Sequence, residues 1–189
     1  MMIYLASASP RRAELLQQIG VRFSVVSAPV DETRWPDEAP TDYVTRLAVA
    51  KARAGWDHAD RGNDWPLLAA DTSVVLGDVI LGKPETEAEG LAMLQQLSGR
   101  RHQVMTAVCC KRGHHEVCEL QISTVGFRAL TAAEQLAYWR SGEGRDKAGG
   151  YAVQGLAARY IEYLEGSYSG VVGLPLHVVD ALLQRPEFS

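Results

Sequence analysis

The chain reads as an α/β protein of 189 residues. Two observations predict this. Short runs of branched, apolar residues with strand composition alternate with stretches in which apolar residues recur every three or four positions. The second kind is bracketed by helix start and stop chemistry: Ser9-Pro10 and Gly20, Thr86 with Glu89 and Gly99, Thr131 with Glu134 and Gly142. A composition of 47% hydrophobic and 22% charged residues suits a soluble globular chain that buries a real core, in one compact unit or two lobes. We read residues 1–189 as a single domain.

Ile3 to Ala6 is a short strand, followed at once by a helix over Ala13, Leu15, Leu16 and Ile19, with Ser9 at the N-cap, Pro10 in the first helical position and Gly20 past the end. Val21 to Val26 alternates like a strand. An acidic, proline-containing loop follows, with Asp31-Glu32 at its start. Thr41 caps a helix to about Ala54, closed by Gly55, whose apolar stripe runs through Val44, Leu47 and Ala48 and takes in Lys51. Trp56 to Trp65 is polar and reads as a surface loop. Leu67 to Ala70 and Ser73 to Leu76 are buried-strand runs interrupted by Asp71 and Thr72, and Gly77-Asp78 turns the chain back into Val79 to Leu81.

Thr86 and Glu89 form a capping box for a helix through Leu91, Leu94 and Leu97, stopped by Ser98-Gly99. Gln103 to Cys110 and Val117 to Phe127 are β-prone runs around Arg112-Gly113-His114, an antiparallel pair that leaves His114 and His115 exposed. A second capping box, Thr131 with Glu134, opens a helix through Leu136 and Trp139. Gly142 to Gly155 has no core periodicity. It carries five glycines with Glu143, Arg145, Asp146, Lys147 and Gln154, a composition that allows backbone to approach a ligand closely and equally suits a flexible connector. Ala158 to Leu164 is a last strand, and Pro175 leads into a closing amphipathic helix.

Several function classes are disfavoured. A formal charge of −4 does not suit a general nucleic-acid surface, because counterion release needs a clustered basic face. No apolar run approaches the roughly 20 residues of a membrane span, and the start MMIYLASASPRR has no long apolar segment of a leader, so a cytoplasmic location is expected. Cys109, Cys110 and Cys118 have no zinc-type spacing and read as small core residues.

What remains points to an anion. A helix starting within a few residues of a strand offers free N–H groups, and Ser7, Ser9, Arg11 and Arg12 lie there, which suits a phosphate. Asp71 needs hydrogen bonds, a cation or a metal if it is buried. Lys51 and Lys83 supply positive charge. Basic and acidic groups from separate segments suit a polyphosphate, the cations neutralising its charge while carboxylates hold a divalent metal or activate water. No GxxxxGK followed by Ser or Thr occurs, so the chain has no Walker loop.

Taken in order, SASPRR at Ser7 to Arg12, Asp31-Glu32, AKA at Ala50 to Ala52, AADT at Ala69 to Thr72, GKP at Gly82 to Pro84, LSGRRH at Leu97 to His102, DKAGGYAVQG at Asp146 to Gly155 and VVGLP at Val171 to Pro175 resemble the Maf family of nucleoside triphosphate pyrophosphatases. DKAGGYAVQG is similar to the subgroup acting on dTTP and UTP. The resemblance implies an elongated mixed sheet with flanking helices in two lobes around a deep cleft, related to the inosine triphosphate pyrophosphatases. It also implies a homodimer dependent on Mg²⁺ or Mn²⁺. It makes Asp71 the proton acceptor, Arg11, Thr72 and Gln154 determinants of base selection, and Ser7, Arg12, Glu32, Lys51, Lys83 and Lys147 the lining of the triphosphate and metal site, with Glu32 on the metal and two roles open for Asp71, general base or a metal ligand that lowers the water pKa. The reaction implied is hydrolysis between the α and β phosphates, without stable nucleic-acid or membrane binding. Two alternatives stay open: the same chemistry on 7-methyl-GTP or a modified uridine triphosphate, and a non-catalytic nucleotide- or nucleic-acid-binding module of cell-division control.

Overall fold

The structure is a computed structural model and describes residues 1–27, 29–59 and 63–189. Strand β1 (Met2–Ala6) runs parallel to β2 (Arg22–Val25) on one side and to β3 (Leu67–Leu76) on the other, with Ile3 opposite Phe23 and Leu5 opposite Leu68. Parallel neighbours need crossovers, and the two periodic segments supply them as α1 (Pro10–Gln18) and α2 (Pro40–His58). Strand β4 (Val79–Leu81) returns antiparallel along β3 through a turn whose Gly77 has φ +62°, a conformation that favours glycine. Helix α3 (Glu87–Leu97) leads to the long β5 (Arg101–Arg112) and β6 (His115–Phe127), joined by the two-residue turn Gly113-His114. After α4 (Ala132–Arg140), β7 (Ile161–Glu165) pairs antiparallel with β6, and the short α5 (Tyr168–Val172) and α6 (Leu176–Leu183) close the chain. The resulting mixed sheet has seven strands in the order β2-β1-β3-β5-β6-β7, with β4 on β3. The expected α/β class with flanking helices is therefore present.

By its contacts the chain forms two compact units. One comprises Met1–Asp71, Thr106–Gln121 and Gly173–Ser189, and the other Thr72–Met105 and Ile122–Val172. In the first, Leu5, Leu16, Leu47 and Leu67 are fully buried, together with Cys109 and Cys110. In the second, Leu94, Leu97, Val125, Phe127, Tyr138 and Tyr160 belong to one apolar cluster.

Several boundaries differ from the sequence expectation. Helix α2 begins at Pro40, not after Thr41, and continues through Trp56 to His58, because Gly55 faces the core inside the helix and its carbonyl accepts the Ala59 N–H at 2.9 Å. The start of the expected 56–65 loop is thus helical, and positions 60–62 lie outside the described residues. Ser9 occupies the N-cap position of α1, but its side chain makes no capping hydrogen bond. The Thr131–Glu134 capping box is complete. At α3 only half of one forms: Thr86 accepts from Glu89 N–H at 3.2 Å, while the Glu89 carboxylate turns to Glu85 N–H at 2.8 Å. Ala158 to Tyr160 belong to a 3₁₀ turn over Leu156–Tyr160, not to the last strand, because the Tyr160 carbonyl is taken by Arg128 N–H outside the ladder.

Helices α3 and α4 meet where Gly90 lies under the Trp139 ring: a Cβ on Gly90 would stand 2.3 Å from two ring carbons. Gly90→Ala gains about 1 kcal/mol of helix propensity but forces the ring to shift at a cost of roughly 1–3 kcal/mol. A net lowered denaturation midpoint is expected, and a raised midpoint would show that the α3–α4 contact yields without cost.

Candidate active site

The site in the first unit begins at the end of β1. The last β1–β3 pair is Ala6 with Ala69, so Asp71 stands two residues further along β3, at the level where β1 gives way to the Ser7–Ser9 turn. Ligands in open α/β sheets gather at such carboxyl ends of parallel strands. Asp71 is only 8% exposed, and an isolated carboxylate there would be costly. Its partner is Lys51, whose Nζ donates to Asp71 Oδ1 at 2.7 Å and lies 2.7 Å from Glu32 Oε1. Lys51 is three residues beyond Ala48 on the buried stripe of α2, so the helix that packs against β1 delivers the ammonium to the strand end.

Glu32 lies in a segment without regular structure, yet that segment is held. Tyr43 Oη donates to the Glu32 carbonyl at 3.0 Å. Arg46 donates to the Thr33 carbonyl at 3.1 Å, is paired with Glu38, and stacks on Trp35 with its guanidinium 4.2 Å from the ring centre. Two side chains of α2 thus position the exposed Glu32 carboxylate against the Lys51 ammonium.

On the β1–α1 turn, Ser7 Oγ accepts from Arg12 Nη1 at 3.1 Å and from Ser9 N–H at 3.2 Å, and Arg12 Nε donates to the Gly173 carbonyl at 2.9 Å. Burial lowers the Arg12 pKa from its ordinary value, while Asp71 and Glu32 oppose that shift and Arg11 adds to it. Five of the predicted residues, Arg11, Arg12, Glu32, Lys51 and Asp71, therefore feel one another's charge, with one positive charge in excess. An anionic ligand is the natural complement of that balance.

The remaining predicted residues belong to the second unit. Thr72 follows Asp71 in β3. Lys83 is exposed, just past β4. The Gly82 carbonyl beside it accepts the Gly149 N–H at 3.0 Å, which ties the glycine-rich segment to the β3–β4 hairpin. Gly149 has φ +69° and no room for a side chain, since a Cβ would stand 2.8 Å from Val74 Cγ1. Lys147 is half-buried and pairs with Asp146 at 2.6 Å, and Gln154 is exposed between the buried Val153 and the half-buried Gly155.

Four residues around this segment were given no role by sequence reasoning. Tyr138, Glu143, Tyr151 and His102 bind one another or the loop backbone: Tyr138 Oη donates to Glu143 Oε1 at 2.8 Å, and His102 Nε2 is hydrogen-bonded to Tyr151 Oη at 2.7 Å. LSGRRH contains His102, DKAGGYAVQG contains Tyr151 and Glu143 stands near the head of the glycine-rich stretch, whereas no motif pointed to Tyr138. Gly173 likewise entered only through the VVGLP motif.

The chain matches the family described as Maf-like protein over residues 2–186. It belongs to the Maf family. Among curated Maf relatives it resembles a dTTP/UTP pyrophosphatase of Alcanivorax borkumensis, 54% identical over 97% of this chain and 95% of that one. Similar proteins of Pseudoalteromonas atlantica (49% identical, 97% and 96% covered) and Pasteurella multocida (48%, 96% and 94%) carry the same name. The Ham1 protein of Staphylococcus aureus superposes with a TM-score of 0.48 at 13% identity, over 67% of this chain and 72% of that one, a likeness that by itself decides nothing.

Two outcomes are expected. Lys51→Met leaves Asp71 buried without its cation and lowers stability by about 1–3 kcal/mol, whereas the same change in an Asp71→Asn background costs less; equal costs in denaturant titrations would show the two are not coupled. Burial lowers the His102 pKa from 6.5 to about 4, and its Nδ1 is buried with no hydrogen-bond partner. Between those values the unfolded chain takes up a proton that the folded chain refuses. His102 therefore has no such effect above about pH 6.5 and reduces stability as pH falls toward 4, by about 3 kcal/mol in full. The stability advantage of wild type over His102→Phe should shrink over that range, and a difference independent of pH would refute it.

Proposed function

We propose that this chain is a nucleoside triphosphate pyrophosphatase that hydrolyses dTTP and UTP to the nucleoside monophosphate and pyrophosphate. The observation that carries this reading is the bridge from Lys51 to both Asp71 and Glu32, beside the Ser7–Arg12 phosphate-type turn, in a Maf chain close to half identical to several proteins named dTTP/UTP pyrophosphatase. A protein that merely bound polyanions would gain nothing from two carboxylates turned toward its own cation.

The donor set fits a divalent metal. Asp71 and Glu32 already share one cation, and because the described residues contain no group of three or more His, Cys, Asp or Glu that could hold a metal, these two carboxylates would leave most of the shell of Mg²⁺ or Mn²⁺ to water and phosphate oxygens. Asp71 and Glu32 would hold it, and such an ion when bound polarises phosphate oxygens and acidifies water. Water attacks the α phosphorus, the new O–P bond replaces the bridge to the β phosphate, and the water's proton passes to Asp71. Lys51 keeps Asp71 oriented through its hydrogen bond. Arg12, fixed by Ser7 and the Gly173 carbonyl, presents a positive charge to the phosphates without having to be ordered first. The departing pyrophosphate carries the extra charge, which these cations stabilise.

Further roles carry over with the Maf motifs: Lys83 and Lys147 on the phosphates, Arg11, Thr72 and Gln154 on the base. The Gln154 amide donates and accepts, matching the O4 and N3–H edge of uracil and thymine. A homodimer and a cytoplasmic setting belong to the same proposal. Among the described residues no helix is long and apolar enough to cross a membrane.

Pyrophosphate release with Mg²⁺ or Mn²⁺ across dTTP, UTP, CTP, GTP and 7-methyl-GTP tests the proposal. Turnover of dTTP and UTP that falls by at least about 10²-fold in Asp71→Asn is expected. Turnover of 7-methyl-GTP alone would keep the reaction and overturn the substrate, and binding of triphosphates without turnover would overturn the reaction.

A further inference from the structure

The glycine-rich segment that presents Gln154 is closed on itself by two side chains. Glu143, at its head, accepts from Tyr138 Oη through Oε1 at 2.8 Å and from Leu156 N–H through Oε2 at 2.8 Å. The same Tyr138 oxygen accepts the Ala152 N–H at 3.0 Å. Gln154 is therefore bracketed, its backbone held two residues before and two residues after by one phenol and one carboxylate that are bound to each other. Glycine is required for this closure. A Cβ on Gly155 would stand 2.2 Å from Glu143 Oε2, and one on Gly144 would stand 2.0 Å from the Gly150 carbonyl oxygen. The brace is anchored in the core, since Tyr138 is 2% exposed and Tyr151 and Val153, on either side of Ala152, are 5% and 7% exposed. Burial and the Glu143 contact both raise the Tyr138 pKa, so the hydroxyl keeps its proton and remains a donor.

We propose that Tyr138 and Glu143 are positioning residues for base selection: by closing the loop across Gln154 they fix where its carboxamide meets the base. This rests on the reading of Gln154 as a base reader. The reason for such a device is chemical. Cytosine offers the reverse order of donor and acceptor to that of uracil, and a carboxamide on a mobile backbone can shift and turn to satisfy either. Hydrogen bonds weaken steeply with misalignment, so discrimination requires the backbone on both sides of Gln154 to be held before the substrate arrives. Neither Tyr138 nor Glu143 needs to touch the nucleotide for this.

Purified Tyr138→Phe, Glu143→Met, Gln154→Ala and Tyr138→Phe/Gln154→Ala should be compared with wild type in kcat/KM for dTTP, UTP, CTP and 7-methyl-GTP. Amide hydrogen exchange over residues 150–157 should be followed in the same preparations. Tyr138→Phe is expected to lower the preference for dTTP and UTP over CTP about tenfold, with faster exchange at Ala152, and to change that preference no further when Gln154 is already alanine. Glu143→Met, which keeps about the size of the side chain but offers neither carboxylate oxygen, is the second test if Tyr138→Phe folds poorly, with faster exchange at Leu156 as its local signature. If Gln154→Ala abolishes base preference while both brace variants keep it, the brace has no positioning role and the Gln154 reading survives. If the brace variants lower kcat/KM equally for every base, their role is structural only and the proposal is wrong. If Gln154→Ala keeps the wild-type preference, the base-reader assignment itself fails, and the inference falls with it.

Discussion

The structure of the first unit turns on a single ammonium group. Lys51 is the cation that allows Asp71 to sit nearly buried in the middle of β3, level with the end of β1, and it is also the group on which Glu32 converges. Withdrawing a carboxylate from water is tolerable only when a charge and hydrogen bonds replace the lost hydration. The placement of α2 is therefore constrained from both sides: its apolar stripe must face β1, and the turn carrying Lys51 must reach the strand end. Tyr43 and Arg46 extend that constraint to the Glu32 loop. One helix thus orients a core face, a buried acid and a loop carboxylate together.

Phosphoryl transfer asks little covalent chemistry of a protein and much positioning of charge. The Ser7–Arg12–Gly173 network shows one way to supply it. Arg12 spends two donors on fixed protein acceptors, so its orientation is set by the β1–α1 turn and by the start of the C-terminal segment. Such a guanidinium loses little freedom when a phosphate arrives, which is the advantage of prior organisation over a flexible lysine.

In the second unit the glycine-rich segment meets the same requirement with backbone. Its glycines are where they are for two different reasons: Gly149 adopts a positive φ against Val74, and Gly155 makes room for the Glu143 carboxylate. Composition alone would allow such a stretch to be mobile. Closure by Tyr138 and Glu143 and the Gly82–Gly149 hydrogen bond tie its backbone down at several points along the stretch that carries Lys147 and Gln154.

By itself the sequence determined whatever depends on neighbours close along the chain. Alternating strand and helix patterns, the Thr131–Glu134 capping box, the Gly77-Asp78 turn and the short connection from β1 to α1 were legible because caps, turns and periodicity are local physics. The ordered motifs identified the chemistry and named Asp71, Lys51, Glu32 and Arg12 as candidates. Only the tertiary structure decided which of them touch. That Lys51 serves both carboxylates depends on where α2 packs, and the run of that helix past Gly55 depends on burial, which overrode the glycine as a stop signal. The contacts of Tyr138, Glu143 and His102 were not legible because their partners lie 5, 13 or 49 positions away and across a segment without periodicity. Hydrogen bonds between side chains and distant backbone are fixed by the packed fold, not by spacing along the chain, and it is these bonds that give the glycine-rich stretch one defined course.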